Sequence, residues 1–243
     1  MNYLVPLLAA LAATGFALDL ALDWRRRPRP HAIMWATAMG AYALASWALV
    51  LGLAVGWGAL NFRLFYWLGA IVNIPFLAAG SVFLVLGPIA GRRFAYGVGL
   101  WSALGLAATW LAPLKGSTAT DGVPEGKELF DFIIEVGGVS VPGPRLFAAL
   151  AGGVATLIIV GLAGFSAVKV WSSNRMLAVG NLLIVLGTLS PAFGGSLTAL
   201  GEAAGFAVAL LIGAVLLWTG YRVATGSRRQ GDAPIAQELR QSH

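Results

Sequence analysis

A chain of 243 residues that is 58% hydrophobic and 11% charged, with a mean hydropathy of +0.81, lies far from soluble domains, in which about a quarter of the residues are charged. That composition excludes a soluble globular protein, and the absence of cysteine excludes disulfides, thiolate nucleophiles, iron–sulfur clusters and cysteine zinc sites. The net charge of +6 does not point to nucleic acid, because the basic residues flank apolar runs and read as topology signals.

At about 20 residues per membrane span, the length holds about seven helices, short connections and one longer loop. The first apolar run, 3–22, has no lysine or arginine before it and Arg25, Arg26, Arg27 and Arg29 after it. This is the reverse of a secretory signal peptide and predicts a retained helix with its N-terminus outside. Asp19 and Asp23 stand one turn apart at its inner end, near Arg26 and Arg27. They read as an interfacial ion-pair cluster, with a proton-relay carboxylate pair as the alternative.

The second span, 32–56, is followed by Trp57, placed for an interfacial aromatic belt. Gly52 and Gly56 have the small-xxx-small spacing of close helix contacts. The third span, 62–87, runs inward. It carries Arg63, Tyr66 and Trp67 in its first turns, Asn73 two residues before Pro75 near its middle, and Gly87-Pro88 at its end, ahead of Arg92 and Arg93. The fourth span, 94–112, runs out again and stops before Pro113.

Residues 113–145 form the one long polar segment, and its first half has the Gly, Ser, Thr and Asp content of an irregular loop. From Phe130 to Val136 the pattern alternates, with Phe130, Phe132, Ile134 and Val136 on one face and Asp131, Ile133 and Glu135 on the other. Gly137-Gly138 then precedes Val139-Ser140-Val141, which predicts a β-hairpin over 129–141 with a glycine turn. Its apolar face is expected on the outer mouth of the bundle.

The fifth span, 146–168, offers Gly152, Gly153, Gly161 and Gly164 as close-packing sites. The sixth, 176–193, carries Asn181 in its inner third and Ser190-Pro191 near its outer end. The seventh, 198–221, has Glu202 near its start and Trp218 and Tyr221 at its inner rim. Residues 1–224 make the membrane domain, and the polar tail 225–243 reads as disordered. Of the 16 lysines and arginines, Arg63, Lys115, Lys127 and Arg145 lie at outer flanks and the other twelve at inner flanks, as the positive-inside rule requires. The expected fold is an all-α integral membrane protein of the cytoplasmic membrane. It is a seven-transmembrane-helix bundle, N-terminus outside and C-terminus inside, with a β-hairpin in the outer loop between the fourth and fifth helices. No clear internal repeat accompanies it, since Pro75 and Pro191 lack counterparts in the matching spans.

Polar side chains in hydrocarbon are costly and face the bundle interior. Asn73 sits at mid-membrane, and Pro75 frees the carbonyl of Ile71, four residues back; the pair is either a ligand site and hinge or helix-packing glue. Asn181 has the same two readings. Arg63, Tyr66, Trp67 and Glu202 belong to outer helix ends, where they suit a ligand pocket beneath the hairpin. The plainer reading gives Glu202 to its helix dipole and Arg63 to snorkelling. No catalytic constellation and no metal-ligand pattern is present in the sequence, and no histidine lies within an apolar run to ligate haem. No enzymatic activity and no cofactor are therefore expected.

Two blocks, HAIMWATAMGAYALASWALVL to NFRLFYWLGAIVNIPFLAAGSVFLVLGP and VGNLLIVLGTLSPAFGGSLTALG, resemble a broad group of uncharacterised seven-helix membrane proteins of actinobacteria and related lineages. The first block is similar, more loosely, to the seven-helix membrane sensor modules that precede some bacterial histidine kinases. The resemblance implies a seven-helix bundle and carries no substrate or catalytic residue. The expected function is binding or sensing of a small apolar or amphipathic ligand from the outer side. The alternatives are a small transporter or channel, and an accessory subunit or assembly factor. Expected partners are membrane lipids, a small apolar ligand, and a protein partner at the 129–141 hairpin or the cytoplasmic face; nucleic acid is not among them.

Overall fold

The computed structural model describes residues 4–118, 122–198 and 203–241. Its elements are α1 (Leu4–Arg26), α2 (Pro30–Val55), α3 (Ala59–Tyr66), a π-helical segment (Trp67–Val72), α4 (Asn73–Leu111), α5 (Gly126–Leu129), β1 (Ile133–Val136), β2 (Val139–Pro142), α6 (Pro144–Val170), α7 (Arg175–Thr198) and α8 (Ala203–Gln241). Six helical segments among the described residues are long and apolar enough to cross a membrane: α1, α2, the continuous run Ala59–Leu111, α6, Arg175–Gly194 and Gly205–Gly226. The chain is an all-α protein of the membrane class, with one small antiparallel sheet.

The run Ala59–Leu111 contains both the third and the fourth expected spans with no loop between them. Its 53 residues would make a straight rod of about 80 Å at about 1.5 Å per residue. The rod is broken at Gly87, whose φ of 86° and ψ of 179° are open essentially to glycine alone. Pro88 then starts the second arm, where its missing N–H costs no hydrogen bond. The arms fold back on each other: Trp67 Nε1 donates to the Ser102 carbonyl at 3.0 Å, and the Trp67 and Trp110 rings meet edge to face at 6.4 Å.

The helices close into a ring. α1 packs on α2 and α8, α2 on α4, α4 on α6, α6 on α7, and α7 on α8. Phe16, Leu20, Met39, Leu49, Phe62, Ile71 and Ile159 are fully buried inside it. The most extensive contact is α7 with α8, where glycines let backbones touch. A Cβ at Gly187 would lie 2.8 Å from Leu217, and one at Gly220 would lie 2.8 Å from the Gly180 carbonyl. The close-packing expectation for α6 is corrected: Gly152, Gly153, Gly161 and Gly164 face open space. Gly52 likewise accommodates the Trp57 ring rather than a second helix, and Gly56 ends α2 at φ 95°.

At one end of the ring lies the 112–143 connection; we call this the loop end, and the opposite end, at Arg25 to Arg29, the arginine end. The hairpin is present, with Ile134 opposite Val141 and Val136 opposite Val139, and both Gly137 and Gly138 have positive φ, as a two-residue type I′ turn demands. Ile134 is buried, but Phe132 is 43% exposed and leaves the face expected for it. The strand begins only at Ile133, and Phe132 instead lies under the Arg145 guanidinium at 4.3 Å. Trp57 is not part of an exposed aromatic belt either: it is buried, and its Nε1 donates to the Gly122 carbonyl at 2.8 Å.

At the arginine end, Asp19 pairs with Arg222 at 3.3 Å and accepts from Trp218 Nε1 at 2.9 Å. Asp23 accepts from the Tyr221 hydroxyl at 2.5 Å. The two carboxylates thus join α1 to α8. The α8 backbone is helical to Gln241, so residues 225–241 of the tail expected to be disordered continue the helix that ends the 1–224 domain.

Candidate functional site

The segment Trp67–Val72 is wound as a π-helix, and the Asn73 N–H reaches back five residues to the Leu68 carbonyl. An inserted π turn widens a helix and presents side chains that an α turn would bury. Pro75 follows immediately and has no N–H to restore the α ladder. The expected proline kink is therefore a π turn centred just before the proline. It sets Asn73 against a cavity.

That cavity holds about 510 Å³ at the loop end of the ring. Its walls come from α2 (Tyr42, Ala45, Ser46), from α3 and the π turn (Phe65, Tyr66, Gly69, Ala70), from α4 (Asn73, Ile74), from α6 (Ala148, Gly152, Thr156), from α7 (Pro191, Ala192) and from α8 (Phe206, Leu210). Val123 to Lys127 form its cover. The cover is pinned down by three sets of contacts. Trp57 holds Gly122, and Thr118 donates back to the Trp57 carbonyl at 2.8 Å. The Phe130 ring meets Tyr66 edge to face at 4.9 Å and packs tilted against Phe62 at 5.6 Å. Lys115 and Asp131 pair at 2.6 Å across the base of the loop. Gly126 sits directly against the Tyr66 ring, leaving no room for a Cβ.

The lining is mainly apolar with a few polar atoms, the usual make-up of a small-molecule site. Glu125 and Lys127 on the cover satisfy each other at 2.7 Å. Tyr42 crosses the ring, its hydroxyl donating to the Leu210 carbonyl at 2.7 Å. Asn73 differs from these groups. It is 7% exposed, and its Oδ1 has no hydrogen-bond partner, a state that costs about 1–3 kcal/mol for a buried polar atom. A molecule in the cavity that offers Asn73 a donor removes that cost.

Of the six residues singled out from sequence, the structure brings Tyr66 and Asn73 together here. Arg63 and Trp67 turn away. Arg63 donates to the carbonyls of Thr109, of Ala112 at 2.8 Å and of Trp110 at 3.4 Å. It thus caps the end of α4, where carbonyls have no helical donor and a cation suits the dipole. Trp67 spans the two arms through Ser102. Asn181 belongs to the arginine end, its amide donating to Ser166 Oγ of α6 at 2.9 Å, and it lines a separate cavity. Glu202 lies outside the described residues. Of the expected pocket of Arg63, Tyr66, Trp67 and Glu202, Tyr66 lines this cavity, while Arg63 and Trp67 are corrected to the end and the second arm of the Ala59–Leu111 run, whose carbonyls they hold.

Sequence reasoning passed over Tyr42, Thr156, Phe206 and the cover residues Val123 to Lys127. Tyr42 was the findable one, since a hydroxyl in the middle of an alanine-rich span has to reach a partner. The cover gives no such signal, because its position depends on the pairing of Trp57 with Gly122, 65 residues apart. Among the described residues no three of His, Asp and Glu gather as metal ligands.

Below Tyr42 and Asn73 lies a layer of buried apolar side chains. Ala38, Met39, Ala78 and Ala214 are fully buried, and Leu77 is 3% exposed. The two cavities, one at each end, share no lining residue. No protein-family profile matches the chain, and no curated protein matches it.

Proposed function

We propose that the chain is a non-enzymatic, seven-span protein of the cytoplasmic membrane that binds and senses a small amphipathic molecule entering from the outer side. The loop-end cavity is its site. The seven-span reading is supported by the length of Ala59–Leu111, about 80 Å if straight against a hydrocarbon core of about 30 Å, and by the break at Gly87 that lets it cross twice. The outside assignment of the loop end is supported by the arginines gathered at the other end.

The observation that carries the ligand reading is the unpartnered Oδ1 of buried Asn73 beside an apolar cavity of about 510 Å³. It calls for an apolar body bearing a hydrogen-bond donor, such as an alcohol or a primary amide. The apolar layer beneath the cavity favours a blind binding site over a channel.

The test pairs a series of medium- and long-chain alcohols with their methyl ethers, using the purified full chain in detergent and thermal unfolding as readout. Alcohols are expected to stabilise the native protein, the ethers to do so far less, and Asn73→Leu to abolish the difference. Equal response to alcohol and ether, or an alcohol preference that survives in Asn73→Leu, would overturn the proposal.

A further inference from the structure

The second cavity, of about 300 Å³, opens at the arginine end between α1, the first turn of α2, α4, α7 and α8. Its inventory of hydrogen-bonding groups is lopsided. Arg27 and Arg29 line it and are exposed, and among the described residues neither has a carboxylate within ion-pairing distance, the pairs being Lys115–Asp131, Lys127–Glu125 and Arg222–Asp19. The nearest acid on the wall, Asp23, is engaged by the Tyr221 hydroxyl. Trp35, 5% exposed, also lines the cavity, with the Nε1 edge of its ring packed against Gly80 of α4. The N-terminus of the 26-residue α2 faces the same space, with Arg29 at the N-cap and no side-chain oxygen capping it. Positive charge is thus in excess, and apolar side chains such as Leu84 and Ile184 form the inner wall.

The geometry points to a phosphate site at the arginine end: the anionic phosphate of an amphiphile or of a soluble phosphoryl compound, held by Arg27 and Arg29 at the start of α2. Guanidinium groups form paired, charge-assisted bonds to phosphate oxygens, and a helix N-terminus adds the positive end of the dipole. A basic pocket between membrane helices at the interface is the arrangement that recognises phosphorylated head groups. The site is independent of the loop-end cavity, with which it has no residue in common.

The test uses the full chain in phosphatidylcholine nanodiscs with and without phosphatidylglycerol, and in detergent with and without inorganic phosphate, reading thermal stability and affinity. The double variant Arg27→Gln/Arg29→Gln is set against Arg25→Gln/Arg26→Gln, which removes the same charge from exposed positions outside the cavity. Stabilisation by phosphatidylglycerol is expected in the native chain and in the Arg25/Arg26 variant. It is expected to weaken roughly tenfold or more in affinity in the Arg27/Arg29 variant. A response to phosphatidylglycerol alone assigns the site to a lipid head group, and a response to inorganic phosphate as well assigns it to soluble phosphoryl compounds. No response to either probe, or an equal loss in both double variants, overturns the proposal.

Discussion

Arg63 and Asn73 look alike in the sequence, as polar residues in one apolar span, yet their surroundings give them opposite roles. Arg63 is fully committed to α4 carbonyls. Arg63→Met is expected to destabilise the protein by about 1.5–3 kcal/mol, the range for hydrogen bonds to a charged group, with no change in ligand response, measured by reversible unfolding in mixed micelles. Asn73 leaves its carbonyl oxygen unsatisfied, so Asn73→Leu is expected to leave the ligand-free protein as stable as before or more so, by up to about 1–3 kcal/mol. A clear loss of stability in Asn73→Leu would mean that Asn73 is structural. Tyr42→Phe removes a buried bond across the ring and is expected to cost about 1 kcal/mol, an effect that the same unfolding assay resolves. The sequence makes the chemical type of these residues legible, because a polar side chain in hydrocarbon always calls for an explanation. It does not make their partners legible, because the carbonyls that hold Arg63 lie 46 and 49 residues away.

Helix existence and hairpin position are legible from hydropathy and from the Gly137-Gly138 turn, while glycine roles are not. α6 has as many glycines as α7, yet those of α6 face open space, and the tight seam lies between α7 and α8. Glycine in a membrane helix serves either as a contact or as a lipid-facing residue, and only the rotation of the helix decides which. Gly187→Leu and Gly220→Leu are expected to push α7 and α8 apart and cost about 1–3 kcal/mol or more. Gly161→Ala, in open space, is expected to stay within about 0.5 kcal/mol of the native chain. Comparable losses at Gly161 and Gly187, measured by thermal unfolding, would contradict the assigned seam. The cover over the loop-end cavity is illegible for a related reason, since its hold on the bundle is a set of contacts between the end of α2, α3 and residues 115–131.

At the scale of the whole molecule, the absence of cysteine gives a clean background for mapping sidedness. On the proposed seven-span orientation, Ser140→Cys and Ser117→Cys are expected to react with an impermeant maleimide added to intact cells, and Ser173→Cys and Arg92→Cys only after permeabilisation. Labelling of Arg92→Cys and Ser117→Cys both from outside would rule out two crossings by Ala59–Leu111, and labelling of Arg92→Cys alone would invert the orientation. The turn at Gly87 also bears on biogenesis. With two residues, Gly87 and Pro88, separating one arm from the next, there is no polar linker at which a translocating chain could pause after the first arm. On the proposed orientation, the two arms are expected to enter the bilayer together as a helical hairpin, with Arg92 and Arg93 retained on the near side. A tag inserted between Leu86 and Ile89 would therefore block assembly, whereas the same tag at the tip of the β-hairpin would be carried across and displayed.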